Sequence, residues 1–291
     1  MHAGLLFLDR MEIEAELHAR NRFFARRLEQ RFSHEELRDV TNVVLGTPAA
    51  VMRCSRCGIL IRDAAPDEDV FRHDQYGADV LERLHETHVR AFRAKAIDYR
   101  PLLPSGARVI EVGSYVGGFL SVAEEWGWRA IGTDIGCDVV RFCRRRGLDA
   151  RCLELRDCAL EVDAVFIWNC FEQLASPHEM LTNARRLLHD SGLLVIRVPD
   201  AAFYVQRRKD QSAFPLLAYN GLLGWPHRFG YDIAALRGLV EKHRFTFLRA
   251  LRREAIRPLR DALHSWAREE ESAVMGEGNR GWIELTFSGV A

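Results

Sequence analysis

Apolar positions along the chain change their period twice. Between residues 11 and 39, Ile13, Leu17, Phe24, Leu28 and Leu37 recur among many charges, the spacing of an amphipathic pair of helices. Around Cys54-Ser-Arg-Cys57-Gly58 the pattern shortens to that of a hairpin. From Asp79 to Tyr99, Val80, Leu84, Val89, Phe92 and Ile97 return to helical spacing, and Pro101 and Pro104 mark its end. Beyond Arg108 strand-like and helix-like segments alternate. Strands are expected over 108–112, 129–133, 149–153, 162–168, 193–198, 245–251 and 282–287, and helices over 117–126, 137–146, 178–189 and 232–243. Alternation at this spacing predicts a parallel sheet wrapped by helices, with no internal repeat. The chain accordingly divides into an extension over 1–73 and an α/β domain over 74–291, with an insertion at 199–231.

Composition narrows the classes of function. With 291 residues, 48% of them hydrophobic and 28% charged, the chain can bury a full core as one catalytic domain plus extensions. Lys+Arg and Asp+Glu both total 41, so no global field favours nucleic acid or an acidic membrane as partner. The opening Gly4-Leu-Leu-Phe-Leu-Asp9 is too short for a secretory segment and is followed by acids, and no apolar run approaches the ~20 residues of a membrane helix. A cytoplasmic location is expected. The seven cysteines show no framework spacing, which predicts reduced thiols. Cys54 and Cys57 form a tempting pair, but a closed zinc site needs four ligands and no second C-x-x-C is present, so no metal is expected.

The candidate chemistry centres on Val109–Leu120, VIEVGSYVGGFL, followed by IGTD at 131–134. An apolar strand runs into a glycine turn, a helix and a second strand that ends in acid, the order of a nucleotide-cofactor pocket. Gly113, Gly117 and Gly118 let backbone approach a ligand where a Cβ would collide. Asp134 follows Glu111 by 134 − 111 = 23 residues, which brings its carboxylate beside the turn to bind ribose hydroxyls. A dinucleotide site presents helix amides to a pyrophosphate, which an acid so close would repel. Glu111 suits a cation instead.

This stretch resembles motif I, E-x-G-x-G-x-G, of the class I S-adenosylmethionine-dependent methyltransferases, with Tyr115 at the middle glycine. Further segments resemble the same family: Val162–Asn169 its fourth strand, Phe171–Pro177 its E-H-L-x-x-P turn with Gln173 for histidine, Leu187–Ile196 its L-K-P-G-G-x-L-x-I run, and Trp282–Phe287 its last strand. The resemblance covers roughly 74–291. It implies a doubly wound, mostly parallel, seven-stranded Rossmann-like α/β sheet, S-adenosylmethionine as cofactor, and a binding set of Glu111, Gly113, Ser114, Tyr115, Gly117, Asp134, Ile135, Leu153 and Asn169. Arg53–Leu60 is similar to the second half of a zinc ribbon ahead of some small-molecule methyltransferases, which points toward sugar or secondary-metabolite acceptors.

Ligands of open α/β sheets bind outside the carboxyl ends of the strands, so the aromatic-rich insertion Pro199–Tyr231 is expected to cover the acceptor. Phe203, Tyr204, Phe214, Tyr219, Asn220, Trp225, Phe229 and Tyr231 line it, and His227 is its sole histidine. His227 is the catalytic candidate, as a base for a hydroxyl or acidic carbon. His178 and His189 fall on the helix expected at 178–189 and read as surface or capping residues. Eight Lys or Arg against two Glu between Arg237 and Arg260 suit either an anionic acceptor or a solvated face. Two competing readings are an NAD-dependent oxidoreductase, opposed by Glu111 and the incomplete G-x-G-x-x-G, and a cofactor-binding module without catalysis, favoured by Tyr115 and Gln173. The oligomeric state and the methylated atom (O, N or C) are open at this stage.

Overall fold

A computed structural model describes residues 4–8, 11, 50–62, 77–202, 205, 227–253 and 282–290. The helices expected over 11–39 (Met11 apart), the insertion residues Phe203, Tyr204, Phe214, Tyr219, Asn220 and Trp225, and the basic stretch beyond Arg253 lie outside the described residues.

The alternation after Arg108 becomes a seven-stranded sheet. Its strands are β4 (Arg108–Val112), β5 (Arg129–Asp134), β6 (Ala150–Cys152), β7 (Val162–Trp168), β8 (Leu188–Pro199), β10 (Phe245–Arg253) and β11 (Trp282–Gly289), in the spatial order β10-β11-β8-β7-β4-β5-β6. β6, β5, β4, β7 and β8 run parallel, while β11 lies antiparallel to both β8 and β10. Helices α1 (Ala78–Tyr99), α2 (Gly118–Glu125) and α3 (Cys137–Arg145) serve one face, and α4 (Pro177–Leu187) and α5 (Ile233–Val240) the other.

β7 shows why the central strands read as continuous apolar runs. Ala164, Phe166 and Trp168 pack with Phe92 of α1 and Phe119 of α2, whereas Val165 and Ile167 pack with Leu181 of α4 and Leu236 of α5. Both faces of a central parallel strand are core. The helices start where their sequences provide acceptors for otherwise orphaned amides. Ser176 accepts from Glu179 N ahead of Pro177, and Asp232 accepts from Ala235 N at 2.7 Å.

Two expectations change. The helix expected at 178–189 ends at Leu187, and β8 begins at once with Leu188. Leu187 and Leu188 are both buried, which draws the chain straight from helix to sheet, so Gly192 lies within the strand and His189 is a strand residue whose Nε2 faces Asp163 Oδ1 at 3.2 Å. Outside the main sheet, β1 (Gly4–Leu8), β2 (Val51–Cys54), β3 (Leu60–Arg62) and β9 (Phe229–Gly230) form a second, four-stranded sheet. The cysteine hairpin is present as β2 and β3, but its outer partners, the chain's opening residues and the end of the 199–231 insertion, are not visible in local sequence pattern. β9 thereby ties the insertion to the hairpin.

Candidate cofactor and acceptor site

β4 delivers the chain into a turn whose backbone is left-handed at Gly113 (φ 71°), Tyr115 (φ 45°) and Gly117 (φ 71°). A Cβ at Gly113 would stand 2.8 Å from Cys170 Sγ, and one at Gly117 2.7 Å from Leu148 Cδ1, so neither position accepts a side chain. Tyr115 holds a left-handed backbone despite its side chain, at a cost of about 1–2 kcal/mol. Its ring turns out against His88, with centroids 5.7 Å apart.

The turn's amides are directed inward. Gly113 N and Ser114 N donate to Thr133 O at 2.8 and 3.1 Å, Gly117 N donates to Ser114 O at 2.8 Å, and Tyr115 N donates to Asp134 Oδ2 at 2.8 Å. Four amides of the turn are thus occupied by β5 and the turn itself. Ser114 is buried, its Oγ set against Gly132 of β5 beneath the turn.

Asp134 ends β5 with each carboxylate oxygen holding one backbone donor, Tyr115 N on Oδ2 and Gly136 N on Oδ1, both at 2.8 Å. These bonds aim the carboxylate. A carboxylate has about four acceptor sites, so capacity remains for both hydroxyls of a ribose. Next to it Ile135 is 54% exposed. The register Asp134↔Cys152 sets Leu153, which follows β6, level with Ile135, and the two give an apolar rim suited to a purine face.

Glu111 lies on β4 and is only 3% exposed; among the described residues its Oε2 has no hydrogen-bond partner. Burial, and then the Asp134 charge, raise its pKa well above the ordinary value, against the opposing pull of Arg197. An orphaned buried acid in that position fits a ligand that brings positive charge. S-adenosylmethionine does so at its sulfonium and ammonium groups. The residues present therefore fit that cofactor: Asp134 could hold the ribose, Ile135 and Leu153 the adenine, and Glu111 with the bare backbone of Gly113 the amino-acid end.

On the acceptor side, the chain leaves β7 through Asn169, left-handed at φ 51° and exposed. Asn169 N donates to Arg197 O at 2.9 Å, its Oδ1 accepts from Arg197 Nε at 3.1 Å, and its carbonyl accepts from Gln173 Nε2 at 2.9 Å. Gln173, standing where the family motif has histidine, thus braces the strand end. Arg197 was not among the expected site residues. It is buried on β8 with its guanidinium 5.4–5.9 Å from the rings of Phe92, Trp168 and Trp282. A lone arginine within Leu193–Val198 was the available signal.

Sequence reasoning also passed over Glu172. It is 1% exposed in the short 3-10 turn Phe171–Gln173, and His227 Nε2 lies 3.6 Å from its Oε1. Burial pushes the Glu172 carboxyl up to about 8, with Arg197 pulling the other way. The expected catalytic candidate and this acid therefore meet. His178, by contrast, is on the surface, 2.8 Å from His243.

The cysteines depart from expectation in one respect. Cys137 at the start of α3 and Cys152 at the end of β6 form a disulfide with Cα atoms 5.1 Å apart, while Cys54, Cys57, Cys143, Cys158 and Cys170 are thiols. The parallel register that aligns Asp134 with Cys152 brings the pair together, a proximity that no linear spacing announces. Among the described residues no three His, Cys, Asp or Glu side chains are grouped to hold a metal. His85 and His88, an H-x-x-H pair after the hairpin, instead face the turn, His85 Nδ1 meeting Val116 O at 2.7 Å.

Comparison with known proteins bears on the same region. The family model described as "Methyltransferase domain" matches residues 80–250. A methyltransferase of Haloferax volcanii, solved with the Trm112 methyltransferase activator, superposes with a TM-score of 0.54 at 15% identity over 74% of this chain and 94% of that one. Phosphoethanolamine N-methyltransferase 2 of Haemonchus contortus, solved with S-adenosylhomocysteine, gives 0.51 at 12% identity over 80% of this chain and 63% of that one. An S-adenosylmethionine-dependent methyltransferase of Archaeoglobus fulgidus gives 0.49 at 17% identity over 69% and 94%. No curated protein matches by sequence. With more than half of its length matched by the family, this sheet order and a turn that fits the cofactor, the chain belongs to the class I S-adenosylmethionine-dependent methyltransferases.

Proposed function

We propose that this methyltransferase acts on a small-molecule acceptor, at an oxygen, nitrogen or carbon atom, bound over the carboxyl ends of β7 and β8. The observation that carries the reading is the polar group Asn169, Arg197, Glu172 and His227, gathered beside the cofactor turn and near the end of the 199–231 insertion. The cofactor supplies an activated methyl group on sulfur, so the chain's own contribution is alignment and a water-poor cavity. Asp134 and the turn fix the donor end. Asn169, braced by Gln173 and Arg197, shapes the floor where acceptor and methyl donor meet.

The likeness of the cysteine hairpin to a half ribbon supports sugar or secondary-metabolite acceptors. We also propose a cytoplasmic location, supported by cysteine spacing that lacks the framework of a small secreted domain, and treat 1–73 and 199–231 as accessory to the methyltransferase domain. Equal totals of acidic and basic residues, 41 each, support no nucleic acid as partner. No helix among the described residues is long and apolar enough to cross a membrane.

Incubation with methyl-labelled S-adenosylmethionine and fractionated metabolite extracts, followed by mass spectrometry, tests the proposal. A labelled small molecule supports it. Label found only on protein or nucleic acid, or cofactor bound without any transfer, refutes the acceptor class or the catalysis respectively.

A further inference from the structure

We propose that Glu172 and His227 form a proton-accepting pair on the acceptor side, His227 taking the proton of a hydroxyl acceptor and Glu172 positioning and charge-balancing it. The inference rests on the methyltransferase reading of this site and adds to it the acceptor class.

Glu172 occupies a costly place. Its side chain is 1% exposed, and among the described residues neither carboxyl oxygen has a hydrogen-bond partner. An acid left so in a folded interior is unfavourable unless something compensates it. The chain brings one histidine to it by backbone design. Arg228 N donates to Glu172 O at 2.8 Å, and Arg228 O accepts from Arg62 N at 3.0 Å, so the residue after His227 is held between the 3-10 turn and β3. His227, 12% exposed at its side chain, is left with Nε2 3.6 Å from Oε1, a few tenths of an ångström beyond a hydrogen bond.

Among the described residues, the groups facing the pair cannot take its place as a base. Arg197 is a permanent cation that acts on Glu172, and Arg228 and Arg62 are permanent cations on the neighbouring backbone. Burial and the Glu172 charge raise the Tyr231 phenol, burial and the same charge raise the Cys170 thiol, and burial raises Cys57, which faces Tyr231. All three hold their protons at neutral pH. Glu172 itself lies near neutrality, at about 8. The pair therefore can hold or release one proton where its neighbours are fixed.

Methylation of a hydroxyl needs such a group. A lone pair of the acceptor oxygen forms the new O–C bond, the C–S bonding pair returns to sulfur, and the O–H pair stays on oxygen. The proton passes to the His227 imidazole. An imidazolium at His227 faces Glu172 and favours its ionised form, which offsets the cost of burying that charge.

Titration by NMR tests the pair without an identified acceptor. The His227 ring signals, assigned by loss in His227→Ala, are followed with pH in the parent and in Glu172→Gln, and S-adenosylhomocysteine binding to each is measured by calorimetry. Loss of the carboxylate should lower the His227 midpoint by about one pH unit while affinity for S-adenosylhomocysteine changes less than about twofold. An unchanged midpoint, or affinity lowered tenfold or more, overturns the pairing. Should Glu172→Gln fail to fold, the Glu172 carboxyl signal is compared between parent and His227→Ala, and an unchanged midpoint again overturns it. A parent protein that binds no S-adenosylhomocysteine would instead defeat the methyltransferase reading of the site.

Discussion

At the scale of single residues, the site is defined by carboxylates in unlike surroundings. Asp134 is aimed by two backbone amides, and if it holds the ribose, Asp134→Ala removes the acceptors for the diol. Calorimetry should show S-adenosylmethionine affinity weaker by about 1–3 kcal/mol, the range for losing hydrogen bonds to a charged group. Glu111 has the opposite character, since burial and then the Asp134 charge disfavour its ionised form in the fold and raise its pKa. In the unfolded chain it ionises near 4.5. Its contribution to stability is thus fully present below that pH and is lost as pH rises toward the raised native value. Urea midpoints measured in steps above pH 5 should fall less steeply for Glu111→Gln than for the parent, while the variant binds cofactor more weakly. His227→Ala should lower turnover of a hydroxyl acceptor by about 10²–10⁴-fold with cofactor affinity nearly constant, read from kcat and from calorimetry.

At the scale of elements, strand ends matter more than strand middles. β5 and β6 are held in register by the sheet, and the disulfide joins Cys137 at the start of α3 to Cys152 of β6, 15 residues on, beside the edge that carries Asp134, Ile135 and Leu153. Chain-entropy arguments put a bridge of that span at about 3 kcal/mol. Thermal melts should show Cys152→Ser below the parent under oxidising conditions, and reducing agent should bring the parent down to the variant. Coincident melts under both conditions would show that the bridge does not form in solution. The hairpin β2–β3 is an element of another kind, since β9 completes it from the far end of the insertion. Local pattern could place the hairpin; only the folded chain shows what it supports.

Across the whole molecule, the helix before the sheet is joined to the last strand. Lys95 of α1 pairs with Glu284 of β11 at 2.7 Å, a contact 189 residues apart in sequence, with Tyr99 donating to the same carboxylate and Trp282 covering the ammonium at 4.3 Å. Both side chains are buried, so removing one leaves an uncompensated charge. Lys95→Met should lose about 3–5 kcal/mol in chemical denaturation, and adding Glu284→Gln should restore part of it. Equal stability of single and double variants would refute this account.

The sequence by itself marked the strands and helices of the main sheet, and the glycine turn and acid where the cofactor is expected to bind. Strand runs, glycine positions and the interval from Glu111 to Asp134 are local properties, and a parallel sheet built from adjacent β-α-β units converts them directly into spatial neighbours. Hence the turn at 113–117 and the acid at 134 could be read before any fold was known. The end of α4 could not, because two consecutive buried leucines suit a helix as well as a strand until the sheet offers a place for Leu188. Tertiary structure alone decided the acceptor end. Arg197 between three aromatic rings, Glu172 against His227, and Cys137 against Cys152 are meetings of residues 15 to 105 positions apart. Their chemistry arises from burial and distance, which a linear pattern does not contain.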